Sequence, residues 1–155
     1  MPVSRQSLKD LWRSAANPAW LCFAWFGMTA GISLLEAPVK FTAPTITREI
    51  ALDVGRVVFA ALNQAEFIAL ILLLILTRIS GSAKHLWIGI GPLALIVIAQ
   101  TVWLLPELSE RSKLIVAGLD PGPSMAHGTY AVLELLKLLL LLFLGFRAMP
   151  KASTV

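Results

Sequence analysis

The sequence predicts an all-α protein, a bundle of four transmembrane helices, and three observations carry that prediction. Apolar residues make up 57% of the 155 and charged residues only 14%, where a soluble domain carries about 25% charged residues. Mean hydropathy is +0.80. The apolar residues also lie in four runs, each close to the roughly 20 residues a helix needs to cross a hydrocarbon core of about 30 Å. Helices rather than strands follow from run length and Leu/Ala/Ile content, and a helix satisfies its own backbone hydrogen bonds inside lipid.

The first run, Pro18–Ala37, follows a basic lead of Arg5, Lys9 and Arg13. It reads as a retained span and not a cleaved signal peptide, because the stretch is long and no A-x-A site follows it. The second, Val57–Leu76, is preceded by Thr45-Ile-Thr-Arg-Glu-Ile-Ala-Leu, which reads as helix running into the span. The third is Leu86–Leu105. A turn signal, Asp120-Pro-Gly-Pro-Ser, then introduces the fourth, Ala126–Leu144. With no repeats and no low-complexity tail, residues 1–155 read as one integral membrane domain.

The net charge of +4 and pI near 9.6 do not point to nucleic acid. The basic residues flank apolar runs and form no stripe, so anionic membrane lipids are the expected partner. The single cysteine, Cys22, excludes an intrachain disulfide and a C-x-x-C redox pair. Arg5, Lys9, Arg13, Arg78, Lys84, Arg147 and Lys151 fall on one side of the membrane, and Lys40, Arg48, Arg56, Arg111 and Lys113 on the other. Setting aside Lys40 and Arg56 as span-end residues, the imbalance predicts both termini in the cytoplasm of a bacterial cell, with the chain in the inner membrane. Trp12, Trp20 and Trp87 then fall near the inner interface and Trp103 near the outer one.

Polar residues recur on one face of every span. Thr29, Ser33, Glu36 and Lys40 share a face of the first, with Gly27 and Gly31 as a G-x-x-x-G contact step roughly opposite. Arg56, Asn63 and Glu66 share a face of the second. Gln100, Trp103 and Glu107 do so in the third, and His127, Tyr130, Glu134 and Lys137 in the fourth. Ionisable groups facing lipid are costly, so these stripes should turn inward toward one another. Most lie in the outer half, while Glu66, Glu134 and Lys137 lie near the middle and the inner half is apolar. The expectation is a polar pocket closed below and open outward, in which Glu36, Arg56, Glu66 and His127 join one network.

Three chemistries fit such a pocket. The first is binding or processing of a lipophilic small molecule. Glu66, Glu134 and His127 would act as acid or base, because desolvation favours the neutral form of a carboxylate. Glu36, Lys40, Arg56, Asn63, Gln100, Trp103 and Tyr130 would bind the substrate. The second is a metal or haem site built from Glu36, Glu66, His127 and Glu134. Against it stand the nearby cations and the position of His85 at the opposite interface. The third is proton-coupled export through a homo-oligomer, with Glu36 or Glu66 carrying the proton, and the apolar inner half counts against it. A structural role for buried ion pairs competes with all three, with Lys137 the best partner for Glu66. No pattern names a cofactor.

The string Gly55-Arg56-Val-Val-Phe-Ala-Ala-Leu-Asn63-Gln-Ala-Glu66-Phe67 resembles the Arg-x6-Asn-x2-Glu-[Tyr/Phe] motif of the membrane-associated eicosanoid and glutathione metabolism family, four-span proteins of similar length. The resemblance implies glutathione binding by Arg56, Asn63 and Glu66. The family's later Arg-x2-Tyr stretch is missing, and His127-Gly-Thr-Tyr130 echoes it only in part. Leu35-Glu36-Ala-Pro-Val-Lys40-Phe, the Gly55-to-Glu66 string and Gln100-Thr-Val-Trp103-Leu-Leu-Pro106 are similar to a group of small, uncharacterised bacterial four-helix membrane proteins. That likeness implies the topology and no activity.

Overall fold

A computed structural model of the chain describes residues 17–80 and 85–149, without the side chain of His85. Arg5, Lys9, Trp12, Arg13, Lys84 and Lys151, used above to orient the chain, lie outside the described residues. Helix α1 (Pro18–Ala30) starts where the Asn17 side chain accepts the Ala19 N–H at 2.9 Å and Pro18 presets the first turn. It continues through a π-helical stretch, Gly31–Glu36, and a last turn ending at Thr42. Helix α2 (Arg48–Ile79) is capped by Thr47, whose hydroxyl accepts the Ile50 N–H. Helix α3 (His85–Ala99) passes through a second π-helical stretch, Gln100–Leu104, into α4 (Leu105–Val116). Gly118, at φ 74°, ends α4: the Leu119 N–H returns to the Leu114 carbonyl, as at many helix ends. Helix α5 (Ala126–Ala148) completes the fold.

Four apolar helices are long enough to cross a membrane: Pro18–Thr42, Arg48–Ile79, Leu86–Val116 and Ala126–Ala148. The protein is a multi-pass membrane protein of all-α class. The helices outrun the sequence-predicted spans, most of all α2. Its 32 residues extend about 48 Å at about 1.5 Å per residue, against a hydrocarbon core of about 30 Å. Hydropathy marks only the lipid-soaked part of such a helix. Its first turns, from Arg48 to Arg56, extend beyond the apolar run, and α2 packs beside α4.

The first span packs on the second and fourth, and the third packs on the same two, which closes an up-down-up-down ring. Glycine permits two of the close approaches, though not at the G-x-x-x-G step. A Cβ on Gly145 would lie 2.8 Å from the Phe23 ring, and one on Gly89 would lie 2.7 Å from Leu144. Gly27 and Gly31 have nothing within 4 Å of a Cβ, which corrects the expectation of helix contact there. They sit on the outer surface of the bundle.

The half of the bundle near Pro18 and Ala148 is proximal, and the other is distal, outermost in the predicted orientation. Arg78, with its guanidinium 5.8 Å from the Trp87 ring centre, and Arg147, 5.7 Å from that of Phe143, mark the proximal boundary. Long cations beside aromatic rings are typical of a membrane interface. The proximal half holds the main apolar core, including Cys22, Trp25, Leu73, Leu93, Leu141 and Leu144. The first span divides at the same level. Pro18, Ala19, Cys22, Trp25 and Thr29 are buried, whereas no residue from Gly31 to Thr42 is.

Candidate functional site

A buried charged cluster forms where the four spans meet. Lys137, on α5, points its ammonium at three oxygens: Glu66 Oε2 at 2.7 Å, Gln100 Oε1 at 2.8 Å and Glu134 Oε2 at 2.8 Å. A lysine ammonium has three protons and no acceptor, so its capacity is filled. The other Glu66 oxygen also lies 2.7 Å from Lys137 Nζ. It accepts the Trp25 indole N–H at 3.1 Å and the Thr29 hydroxyl at 2.8 Å. Glu134 accepts Gln100 Nε2 at 2.8 Å on Oε2 and the Ser33 hydroxyl at 2.6 Å on Oε1. Tyr130 lies one turn before Glu134, buried with its ring edge-on to Phe59, ring centres 5.6 Å apart.

Burial here is complete or nearly so. Thr29, Glu66, Gln100 and Lys137 are each 0% exposed and Glu134 is 4% exposed. Glu66 precedes Arg78 by twelve residues and Lys137 precedes Arg147 by ten, about 18 and about 15 Å along a helix. With a hydrocarbon core of about 30 Å, the cluster sits near the bilayer midplane. Ionised groups at that depth lose several kcal/mol each in hydration, and only close, saturated geometry offsets the loss. The hydrogen bonds are accordingly complete. Among the described residues, the one buried side-chain N or O atom without a partner is Thr77 Oγ1, outside this cluster.

Two of the donors come from irregular backbone. Ser33 lies in the π-helical Gly31–Glu36 and Gln100 in the π-helical Gln100–Leu104. A π-turn adds a residue to the turn and re-aims the side chains after it, and such turns occur often at functional sites. Here both stand at the level of the carboxylates, one on each of the two spans that carry no charge in the cluster.

The sequence-predicted residues separate into two sets. Glu66, Glu134 and Gln100 come together, with Tyr130 at the edge, around Lys137. Asn63 is buried next to them but donates to Thr101 Oγ1 at 3.0 Å. Glu36, Arg56 and His127 do not join, which corrects the expected single network. Arg56 turns to Asp53 on its own helix, at 2.7 and 3.1 Å, on the more exposed side of a segment whose other face buries Ala51 and Gly55. His127 is exposed. Trp103 is 56% exposed and faces outward, since the π-turn rotates the face that Gln100 begins. Glu36 pairs with Lys40 at 3.3 Å in a separate distal patch, where the ammonium lies 5.5 Å from the Phe59 ring centre and 5.8 Å from that of Phe41.

The alternative metal set fares likewise. Glu36 and His127 stand apart from Glu66 and Glu134, and no group of three or more His, Cys, Asp or Glu suited to a metal occurs among the described residues. The ammonium of Lys137 occupies the place between the two carboxylates that a cation would need. Arg56, Asn63 and Glu66, the motif residues of the glutathione resemblance, each hold a different partner. Trp25 and Thr101 were missing from the sequence-derived stripes, and Thr29 and Ser33, though placed on the first stripe, were given no role in the site. Trp25 was legible in principle, since it lies one helical turn before Thr29 on the polar face.

No family model matches the chain, and no curated protein or solved structure matches it either.

Proposed function

We propose that this membrane protein binds or processes a lipophilic small molecule that enters the distal half sideways from the lipid and works on it at the Glu66–Lys137–Glu134 cluster. The observation that carries this reading is the uneven packing of the first span. Its proximal half is sealed into the bundle, and no residue of its distal half, Gly31–Thr42, is fully buried. Leu34, Leu35, Val39 and Phe41 are exposed there, so lipid meets the segment that also carries Ser33 and the Glu36–Lys40 patch. A molecule entering along it would meet the Lys40 ammonium and the Phe59 ring first, then Ser33, then Glu134. Lys40 suits an anionic head, and Glu134 is placed to take or give a proton. In the predicted orientation, with both termini cytoplasmic in a bacterial inner membrane, entry is from the outer leaflet.

A fatty acid bearing a diazirine, activated by light on the protein in bilayers, tests the route. Labelling concentrated in the peptides around Ser33–Phe41 and Tyr130–Glu134, and reduced by Ser33→Trp, supports it. Uniform labelling of lipid-facing residues such as Ile68, Ile88 and Leu95 would refute it.

A further inference from the structure

The midplane cluster does not balance its charge. It holds two carboxylates, Glu66 and Glu134, against one ammonium, Lys137, at 2.7 and 2.8 Å. The groups facing it from the other elements do not make up the difference. The first span offers Glu36 and Lys40, which pair with each other. The second offers Arg56 farther out, held by Asp53. The third has no ionisable residue between His85 and Glu107. The fourth adds Tyr130 and an exposed His127. With both carboxylates ionised, one uncompensated negative charge would sit in the hydrocarbon, the most expensive place for it. A proton is the smallest ligand that removes it.

The hydrogen-bond pattern says where that proton fits. Both Glu66 oxygens face the Lys137 ammonium, and one also takes the Trp25 N–H. Ammonium and indole groups only donate, so a proton on Glu66 would meet donors everywhere except at Thr29. Glu134 differs. Its Oε2 takes both Lys137 and Gln100, while its Oε1 faces the Ser33 hydroxyl at 2.6 Å. A hydroxyl can donate or accept. Turned around, Ser33 accepts from a Glu134 Oε1–H, and the other contacts of the cluster stay as they are.

We propose that Glu134 is a proton-binding site, loaded at Oε1 and exchanging its proton with the distal side through Ser33. On release, the Oε1–H bond breaks and the proton passes to a water molecule arriving at Ser33, which becomes hydronium. The electron pair stays on Oε1, to which the Ser33 hydroxyl then donates. The proposal stands independently of any lipophilic ligand.

Infrared difference spectroscopy of the protein in lipid, in light and heavy water, tests it through the carbonyl stretch of a protonated carboxyl. The wild-type minus Glu134→Gln spectrum should contain one such band, sensitive to deuteration. Ser33→Ala should displace the band by removing its hydrogen-bond acceptor, and Thr29→Val should leave it in place. Should Glu134→Gln fail to fold, the displacement by Ser33→Ala against wild type decides alone. A band moved by Thr29→Val and not by Ser33→Ala would put the proton on Glu66 and overturn the assignment. A wild-type spectrum with no buried protonated carboxyl would overturn it too.

Discussion

Two lysines in this bundle are withdrawn from water, and they are held in opposite ways. Lys137 is fully buried and gives all three protons to oxygens of Glu66, Gln100 and Glu134. Lys40, with a side chain 9% exposed, has one partially exposed carboxylate at 3.3 Å and two aromatic rings. The first is locked by three spans into a saturated network. The second is a flexible arm lying across a helix surface, and Gly55 leaves the room for it: a Cβ there would lie 2.8 Å from Lys40 Nζ. Sequence spacing treats these lysines alike, as members of polar stripes. What separates them is depth, since near the midplane a charge must find partners and near the boundary it can reach for water or headgroups.

Removing each ammonium should break the comparison first. Lys137→Met leaves the buried Glu66 carboxylate without its counter-charge and should cost about 3–5 kcal/mol, read as a large drop in melting temperature in mild detergent. A loss as small as that of a surface variant would mean that the cluster is wetter than the structure has it. Glycine substitutions sharpen the contrast at the next level. Gly145→Ala drives a methyl into the Phe23 ring, which is pinned against Phe146 with ring centres 5.3 Å apart, and should cost about 1–3 kcal/mol. Gly55→Ala meets only the mobile end of Lys40, so denaturation curves should barely separate it from wild type. Equal costs at the two glycines would remove the distinction between a packed proximal half and a loose distal one. Lys40→Met should have the smallest effect, below about 1 kcal/mol. It should reduce diazirine labelling near Ser33 if Lys40 receives an anionic head.

The fold was legible because run length and hydropathy are properties of single segments. The midplane group was legible in part, for a reason of geometry. On a straight helix, spacings of three and four hold a face, and they brought Glu66, Glu134 and Lys137 to one depth. They failed where the helix is irregular or too long. The π-turn at Gln100–Leu104 turned Trp103 outward, and in the overrun of α2 Arg56 took the more exposed side, beside Asp53. Neither a π-turn nor a helix overrun has a hydropathy signature. The G-x-x-x-G step misled for a simpler reason. Small residues allow close contact without requiring it, and the helices used Gly89 and Gly145 instead. Trp25 was hidden because its indole reads as apolar bulk until an acceptor is placed beside it.

Buried ion clusters of this kind are a poor source of stability, and on the function proposed above this one is kept for its chemistry. The most direct test is the melting temperature, in one detergent, of a variant that replaces the whole cluster and its donors by less polar side chains of similar size: Glu66→Met, Gln100→Leu, Glu134→Leu and Lys137→Met together with Trp25→Phe, Thr29→Val and Ser33→Ala, so that no buried donor loses its acceptor. Apolar replacement of a complete buried ion cluster is often neutral or stabilising, whereas removing one member is not. The predicted result is a variant that melts close to wild type and well above Lys137→Met alone. A combined variant that melts with Lys137→Met or below it would contradict the account, because the charged network would then be what holds the four helices together.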